Sequence, residues 1–312
     1  LLKIKNKELL GGKKMYFLTY NYNKKTEPGL MDNDKNNIIP LKNIFNKLDL
    51  DFNGDLNSLI DIFNKDLFEQ ISEIIKNWDG KLIPLDDVKL CAPIPYPKKN
   101  LICLGKNYLD HAKETMGLKG SEDNIPKYPI YFNKSANPAI GDGDIILNHR
   151  DITNMIDYEV ELAIVIGKDG INIPKEDAED HIFGYTIVND ISARNIQRKH
   201  GQWFKGKSLE TFCPMGPFLV HKSQIPFPVE LNLICKINSE IRQDSNTKNL
   251  IFDIPYIISD LSKGMYLRKG DIIATGTPSG VGLGFKPFKF LKSGDLIECT
   301  IEKIGTLSNK MA

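Results

Sequence analysis

Little in this sequence is extreme, and each shortage removes a class of function. The 312 residues carry 41 Lys and Arg against 40 Asp and Glu, a formal net charge of +1. No basic excess argues for nucleic acid or for an anionic membrane surface. No apolar run approaches the roughly 18 residues that a spanning helix needs. Cysteines number five, Cys91, Cys103, Cys213, Cys235 and Cys299. They are odd in number and scattered, and no CxxC spacing occurs. The expectation is buried, reduced thiols in a cytosolic protein. Lys3, Lys5 and Lys7 open the chain, but no apolar signal-peptide core follows them. A cytoplasmic location is expected. Residues 1–14 are expected to be a tail, a tag remnant or an upstream extension with no role in the fold.

What is present is ordinary for a globular protein: 41% hydrophobic and 26% charged residues. Residues 15–92 read as a first, small α+β domain. A strand at 15–21 precedes a polar Asn/Lys/Asp stretch. Leu56, Leu59, Ile60, Phe63, Leu67, Ile71, Ile74 and Trp78 then recur at helical spacing, predicting one helix over 56–78 with Asp55 or Asn57 as its cap. Pro93, Pro95 and Pro97 mark an extended entry into a second domain, residues 93–312. There, short apolar runs at 100–104, 144–147, 158–166, 183–189, 216–220, 229–237, 271–275 and 296–301 are punctuated by Gly and Pro. The pattern predicts an α+β, mostly β fold, with a sheet curled into a barrel or roll.

One of those runs holds the most informative feature. In Asp157-Tyr158-Glu159-Val160-Glu161-Leu162-Ala163-Ile164, strand alternation puts Glu159 and Glu161 on one face and Val160, Leu162 and Ile164 on the other. Two like charges on a buried strand raise each other's energy, so a cation should lie between them. A carboxylate-only pair suits a hard ion such as Mg²⁺, Mn²⁺ or Ca²⁺. Asp190, at the end of the run 183–189, is a candidate third ligand, and equally a helix cap.

Three further segments are candidates. His111 and Glu114 are three apart, so on a helical turn they form either an acid–base dyad or a surface salt bridge. Gly201 to Ser208 matches the phosphate-loop string GxxxxGK[ST], but a helix-like segment precedes it and only a turn has room to follow. A nucleotide site is therefore rejected, and Lys207 is kept as a cation for a carboxylate or an enolate. The loop Thr275 to Gly282 offers hydroxyls and backbone N–H groups to a substrate carboxylate, or is a tight turn.

Taken in order, GKNYLDHAKE, NKSANPAIGDGDII, DYEVELAIVIGK, GYTIVNDISARNIQ, GKSLETFCPMGP, YLRKGDIIATGTPSGVG and FLKSGDLIECTIEKIGTLSN resemble the fumarylacetoacetate hydrolase family over about residues 93–309. The resemblance implies a mixed β-roll catalytic domain behind a small N-terminal domain, usually in a homodimer. It implies a Mg²⁺ or Mn²⁺ site on Glu159, Glu161 and Asp190, completed by water. It implies a catalytic dyad of His111 and Glu114 on a lid spanning 106–127, and Lys207 beside the enolate. It also implies substrate contacts from Lys106, Gln197 and Thr277. Lys106 stands where many members carry arginine, which keeps a cation but loses a bidentate fork.

The activity so implied is metal-dependent hydrolysis of a C–C bond in an acylpyruvate or fumarylpyruvate-type diketo acid, through a metal-bound enolate. Within the same family the alternatives are oxaloacetate decarboxylase or tautomerase, and 2-hydroxyhepta-2,4-diene-1,7-dioate isomerase or decarboxylase. Outside it, the alternative is a non-catalytic metabolite-binding protein.

Overall fold

The computed structural model describes residues 15–114, 125–136 and 138–312. The first element is a hairpin of Tyr16–Tyr22 and Lys25–Met31. Asn23 and Lys24 alone connect them, at φ 51° and 64°. Two left-handed residues make the hairpin turn whose twist matches that of the flanking strands. Lys25–Met31 falls in the polar stretch after the first strand, which the sequence pattern does not mark as a strand. The reason is visible in its burial: Lys25, Thr26 and Glu27 are exposed, and only Gly29, Leu30 and Met31 are buried.

The expected single helix over 56–78 is two helices, Leu56–Ile62 and Lys65–Lys76. Asp55 caps the first, accepting from Ser58 N at 2.9 Å. Asn64 restarts the second by accepting from Leu67 N at 2.8 Å. An Asn side chain in mid-pattern competes for backbone amides, so the apolar spacing continues while the helix does not. Phe63 sits in extended backbone at the break.

One large sheet organises the chain. Its order is Ile83–Pro84, Asn37–Pro40, Lys25–Met31, Tyr16–Tyr22, Met215–His221, Ile182–Asn189, Val160–Ile166, Ile272–Ala274, Leu101–Gly105 and Ile130–Lys134, with Lys89–Cys91 also pairing Tyr16–Tyr22. Its pairings are antiparallel except Ile272–Ala274 with Leu101–Gly105. The strands of 15–92 therefore continue the sheet of the later residues, joined at Tyr16↔Val220 and Phe17↔Leu219. The fold is mostly β with mixed sheets, as expected. The sheet ends in two edges, and no closed barrel forms among the described residues.

A second sheet of Glu240–Asn246, Asn232–Ile237, Leu296–Ile301, Gly305–Met311 and Ile145–Ile146 covers one face. Its Leu233, Cys235, Ile297, Cys299 and Leu307 pack with Val160, Leu162, Ile164 and Ile166. On the other face Ala163, Val165 and Val188 pack with Ile44, Phe45, Leu59, Ile60 and Ile71 of the early helices. The hairpin of Val160–Ile166 and Ile182–Asn189 is thus buried on both faces along its whole length. Only its two ends are left to carry polar chemistry. All five cysteines are unpaired; four are buried, and Cys91 is only half-buried.

Candidate active site

At one end of that hairpin the three predicted carboxylates meet. Glu161 lies within Val160–Ile166, Glu159 one residue before it, and Asp190 one residue beyond Ile182–Asn189. The register Val160↔Asn189 sets these positions side by side. Asp190 N donates to the Glu159 carbonyl at 2.9 Å and closes the end. One oxygen of each carboxylate lies within 4.8 Å of the others, and all three residues are buried.

Three buried cations hold the acids together. Lys207 Nζ donates to Glu159 Oε2 at 2.5 Å and to Asp190 Oδ2 at 2.6 Å. Arg194 donates through Nη2 to Glu159 Oε1 at 2.6 Å and through Nε to Asp157 Oδ2 at 2.8 Å. Lys134 Nζ lies 2.8 Å from Asp190 Oδ1 as an ion pair. Its hydrogen bonds run instead to the carbonyls of Ile191 and Lys207. Sequence reading gave no role to Asp157, Lys134 or Arg194. The only available signal was charge inside apolar runs, which does not say where the side chain ends.

Counting Asp157, Glu159, Glu161 and Asp190 against Lys134, Arg194 and Lys207, the formal charges are −4 and +3, or −1 in total. Burial pushes the Glu159 carboxyl up, but Lys207, Arg194 and His111 more than reverse this and hold it below the usual range. Glu161 has no hydrogen-bonded cation among the described residues, and Lys207 and the Gly276 N–H only partly offset its burial. Burial, then the charges of Asp190 and Glu159, push it well above the usual range. Two buried polar atoms are also left without hydrogen-bond partners, Asp190 Oδ1 and the Tyr108 hydroxyl. Burial and the charge of Glu161 raise that phenol. These residues fit a divalent cation. An all-oxygen donor set suits a hard ion, and +2 would turn the formal charge of the cluster from −1 to +1.

The loop after Ile272–Ala274 closes the site. Gly276 N donates to Glu161 Oε2 at 2.8 Å. Its φ is 98°, and a Cβ there would stand 2.9 Å from Asn107 Cβ, so glycine is required. Thr277 is buried, and its hydroxyl accepts from Gln243 Nε2 at 2.7 Å; Gln243 Oε1 in turn accepts from Val160 N at 3.1 Å. Asp157 accepts from Gly282 N and Leu283 N at 2.6 and 3.0 Å.

His111 and Glu114 lie on the short helix Leu109–Glu114, with Nδ1 3.2 Å from Oε2. The pair is not a surface salt bridge. His111 is buried, and Glu114 Oε1 accepts from Gly280 N at 2.8 Å. A Cβ on Gly284 would fall 1.9 Å from that oxygen.

Gln197 reaches the cluster indirectly, its Oε1 accepting from Arg194 Nη1 at 3.1 Å. Lys106 is half-buried at φ 54°, and no hydrogen bond or ion pair to its side chain is found among the described residues. Of the expected lid, residues 115–124 lie outside the described residues. The phosphate-loop string follows helix Arg194–Lys199 and contains only the four-residue helix Phe204–Lys207, with no strand entering it.

Acids buried with just too few cations, on the rim of a mixed β scaffold beside an imidazole–carboxylate pair, are the equipment of a metal-dependent enzyme. The chain belongs to the fumarylacetoacetate hydrolase family: residues 100–312 match the fumarylacetoacetate (FAA) hydrolase C-terminal domain. It is 59% identical over 227 residues, 73% of this chain and 74% of the relative, to oxaloacetate tautomerase YisK of Bacillus subtilis (strain 168). A solved fumarylacetoacetate hydrolase from Exiguobacterium antarcticum is 35% identical, with a TM-score of 0.79 over 95% of this chain and 99% of that one. Maleylpyruvate hydrolase from Sphingobium sp. SYK-6, solved with manganese(II) and pyruvate, is 27% identical, with a TM-score of 0.72 over 96% and 99%.

Proposed function

We propose that this protein tautomerises oxaloacetate or a close 2-oxo dicarboxylate, moving a proton between carbon and oxygen. The observation that carries the reading is the His111–Glu114 pair docked beside a cation-deficient carboxylate cluster. The 59% identity to an oxaloacetate tautomerase supports proton transfer over the C–C hydrolysis that motif order alone favours. Glu159, Glu161 and Asp190 would hold Mg²⁺ or Mn²⁺. The ion supplies Lewis-acid polarisation of the 2-oxo oxygen when bound.

The protein's own residues do the rest. Glu114 fixes the His111 ring through Nδ1. His111 takes a proton from C3 of the keto acid and returns one to the enolate oxygen, or runs the reverse, so no atom is gained or lost. Lys207 spends two of its three N–H donors on Glu159 and Asp190, leaving one for the developing enolate. Thr277, Gln197 and Lys106 are proposed to contact the substrate carboxylates. Residues 15–92 and 93–312 are proposed as a small N-terminal domain and a catalytic domain, and the assembly as a homodimer.

The test follows the enol's ultraviolet absorbance after fresh enol-oxaloacetate is added with Mg²⁺ or Mn²⁺. A metal-dependent rate above the spontaneous one is expected. His111→Ala should remove it while Mn²⁺ affinity persists. Equal decay with and without protein sinks the reading.

Hydrolysis of an acylpyruvate is the second reading, favoured by the likeness to a maleylpyruvate hydrolase that holds manganese and pyruvate. Pyruvate release from a panel of acylpyruvates, without oxaloacetate turnover, would select it.

A further inference from the structure

The opposite end of the central hairpin carries a second concavity that the reaction does not use. Glu161 and Gly167 are six residues apart on one strand, on the order of 20 Å. Between Val165↔Gly184 and Ile166↔Ile182 the ladder slips, leaving Phe183 as the extra residue of a bulge. Bulges re-aim side chains, and Phe183 here meets Phe63 at 5.0 Å and His221 at 5.4 Å between ring centroids. Phe63 is the residue at the unexpected helix break. Phe68 lies 5.0 Å from His221 at 30°. These four rings wall a cavity of about 510 Å³ between the early helices and the sheet. Small-molecule sites occupy roughly 300–1,000 Å³.

The polar features of this cavity are specific. His221 is 8% exposed. Ser223 N donates to its Nδ1 at 3.2 Å. A backbone N–H can only donate, so Nδ1 is the acceptor and the neutral ring carries its proton on Nε2. Nε2 has no hydrogen-bond partner among the described residues. The lining contains Lys65, Lys168, Lys222 and Lys269 against Glu179 and Asp180, or +4 and −2, a surplus of +2. Lys222 and Lys269 donate to the backbone carbonyls of Glu179 and Asp61. Lys168 is exposed, and no ion pair to it is found among the described residues.

We propose that this cavity binds a small aromatic carboxylate, its ring against Phe63, Phe68 and Phe183, its carboxylate taking the His221 Nε2–H and facing Lys168. Aromatic walls select a planar apolar body. A donor with no acceptor, under a lysine-rich rim, selects an anion over a neutral or cationic head. The site is independent of how the carboxylate end of the hairpin is read.

Calorimetry of the full chain with sodium phenylacetate, without added metal, tests it. Saturable binding with a Kd of about 1 mM or tighter is expected. Lys168→Glu, an exposed position that should fold, should weaken it at least about threefold. His221→Phe, which keeps an aromatic ring but no donor, should weaken it at least about fivefold. Absence of saturable heat up to about 10 mM overturns the proposal, as does unchanged affinity in Lys168→Glu. Benzyl alcohol binding as tightly as phenylacetate would overturn the carboxylate class.

Discussion

At the Glu159 and Asp190 end of the central hairpin, four carboxyl groups and three basic side chains are buried together, and Glu159 is held as an ion. At the Gly167 and Phe183 end of the same two strands, the buried titratable ring His221 is kept neutral. Burial drives both outcomes. Where cations of matched geometry stand within hydrogen-bond distance, as Lys207 and Arg194 do for Glu159, ionisation survives burial. Where the neighbours are rings and the charge that acts on the group is that of Lys222, of the same sign, the histidine loses its proton instead. One end is therefore stable only as a set, and the other is stable one group at a time. That contrast says which substitutions should be severe and which should matter only at certain pH.

The largest effect should come from Glu161, the acid with the least compensation. Glu161→Gln keeps shape and the acceptor for Gly276 N–H but removes the charge. Metal-dependent kcat/KM should fall at least about a thousandfold. Yet the unfolding temperature measured in EDTA should stay level or rise, because Asp190 and Glu159 then face a neutral amide. Turnover within tenfold of wild type breaks the ligand assignment. A large loss of stability in EDTA breaks the claim that the cluster is short of positive charge.

Lys134→Met comes next. It removes a fully buried cation from beside Asp190 and leaves the acid exposed to its like-charged neighbours. Breaking a buried pair costs about 3–5 kcal/mol, read by urea unfolding in EDTA. Added Mn²⁺ should recover part of that loss, since +2 at the carboxylates replaces the missing charge. If Lys134→Met is neutral in EDTA, the set-wise account of this end fails.

How much of this could be read beforehand differs between the ends for physical reasons. The acids were legible because strand alternation is strict and two glutamates on one face of an apolar run break it. Asp190 was legible because a strand end beside them is where a third ligand belongs. Their counter-ions were not. Lys134 closes a half-exposed strand, Arg194 opens a short helix, and long side chains reach across elements that sequence spacing does not relate. Gln243 was missed with its strand, Glu240–Asn246, where it is the single buried residue. The aromatic end left a false trace. Phe63 fitted a helical stripe, and the Asn64 cap that breaks the stripe and brings Phe63 to Phe183 weighed less than the spacing around it. Likewise the sheet was legible as strands, but its continuity from Tyr16–Tyr22 into Met215–His221 pairs Tyr16 with Val220, far apart in the chain, which no local pattern encodes.

The smallest effect should appear at His221, and only in acid. Burial, then the charge of Lys222, lowers its pKa from 6.5 to about 3. An unfolded chain takes up a proton as pH falls through about 6.5, whereas the folded ring refuses one until about 3. Stability that is full above 6.5 is therefore lost progressively between those values. At pH 5 the loss is on the order of 2 kcal/mol. In His221→Phe the ring cannot titrate. It also gives up the acceptor for Ser223 N–H, but that cost is the same at every pH. Lys65, Lys168, Lys222, Lys269, Glu179 and Asp180 are present in both proteins, so their titration cancels in the difference. Unfolding free energies at pH 8 and pH 5 should thus fall by about 2 kcal/mol more in the wild type than in His221→Phe. Parallel falls would mean that the ring is protonated in the folded protein, and that this end of the hairpin, like the other, buries its charge.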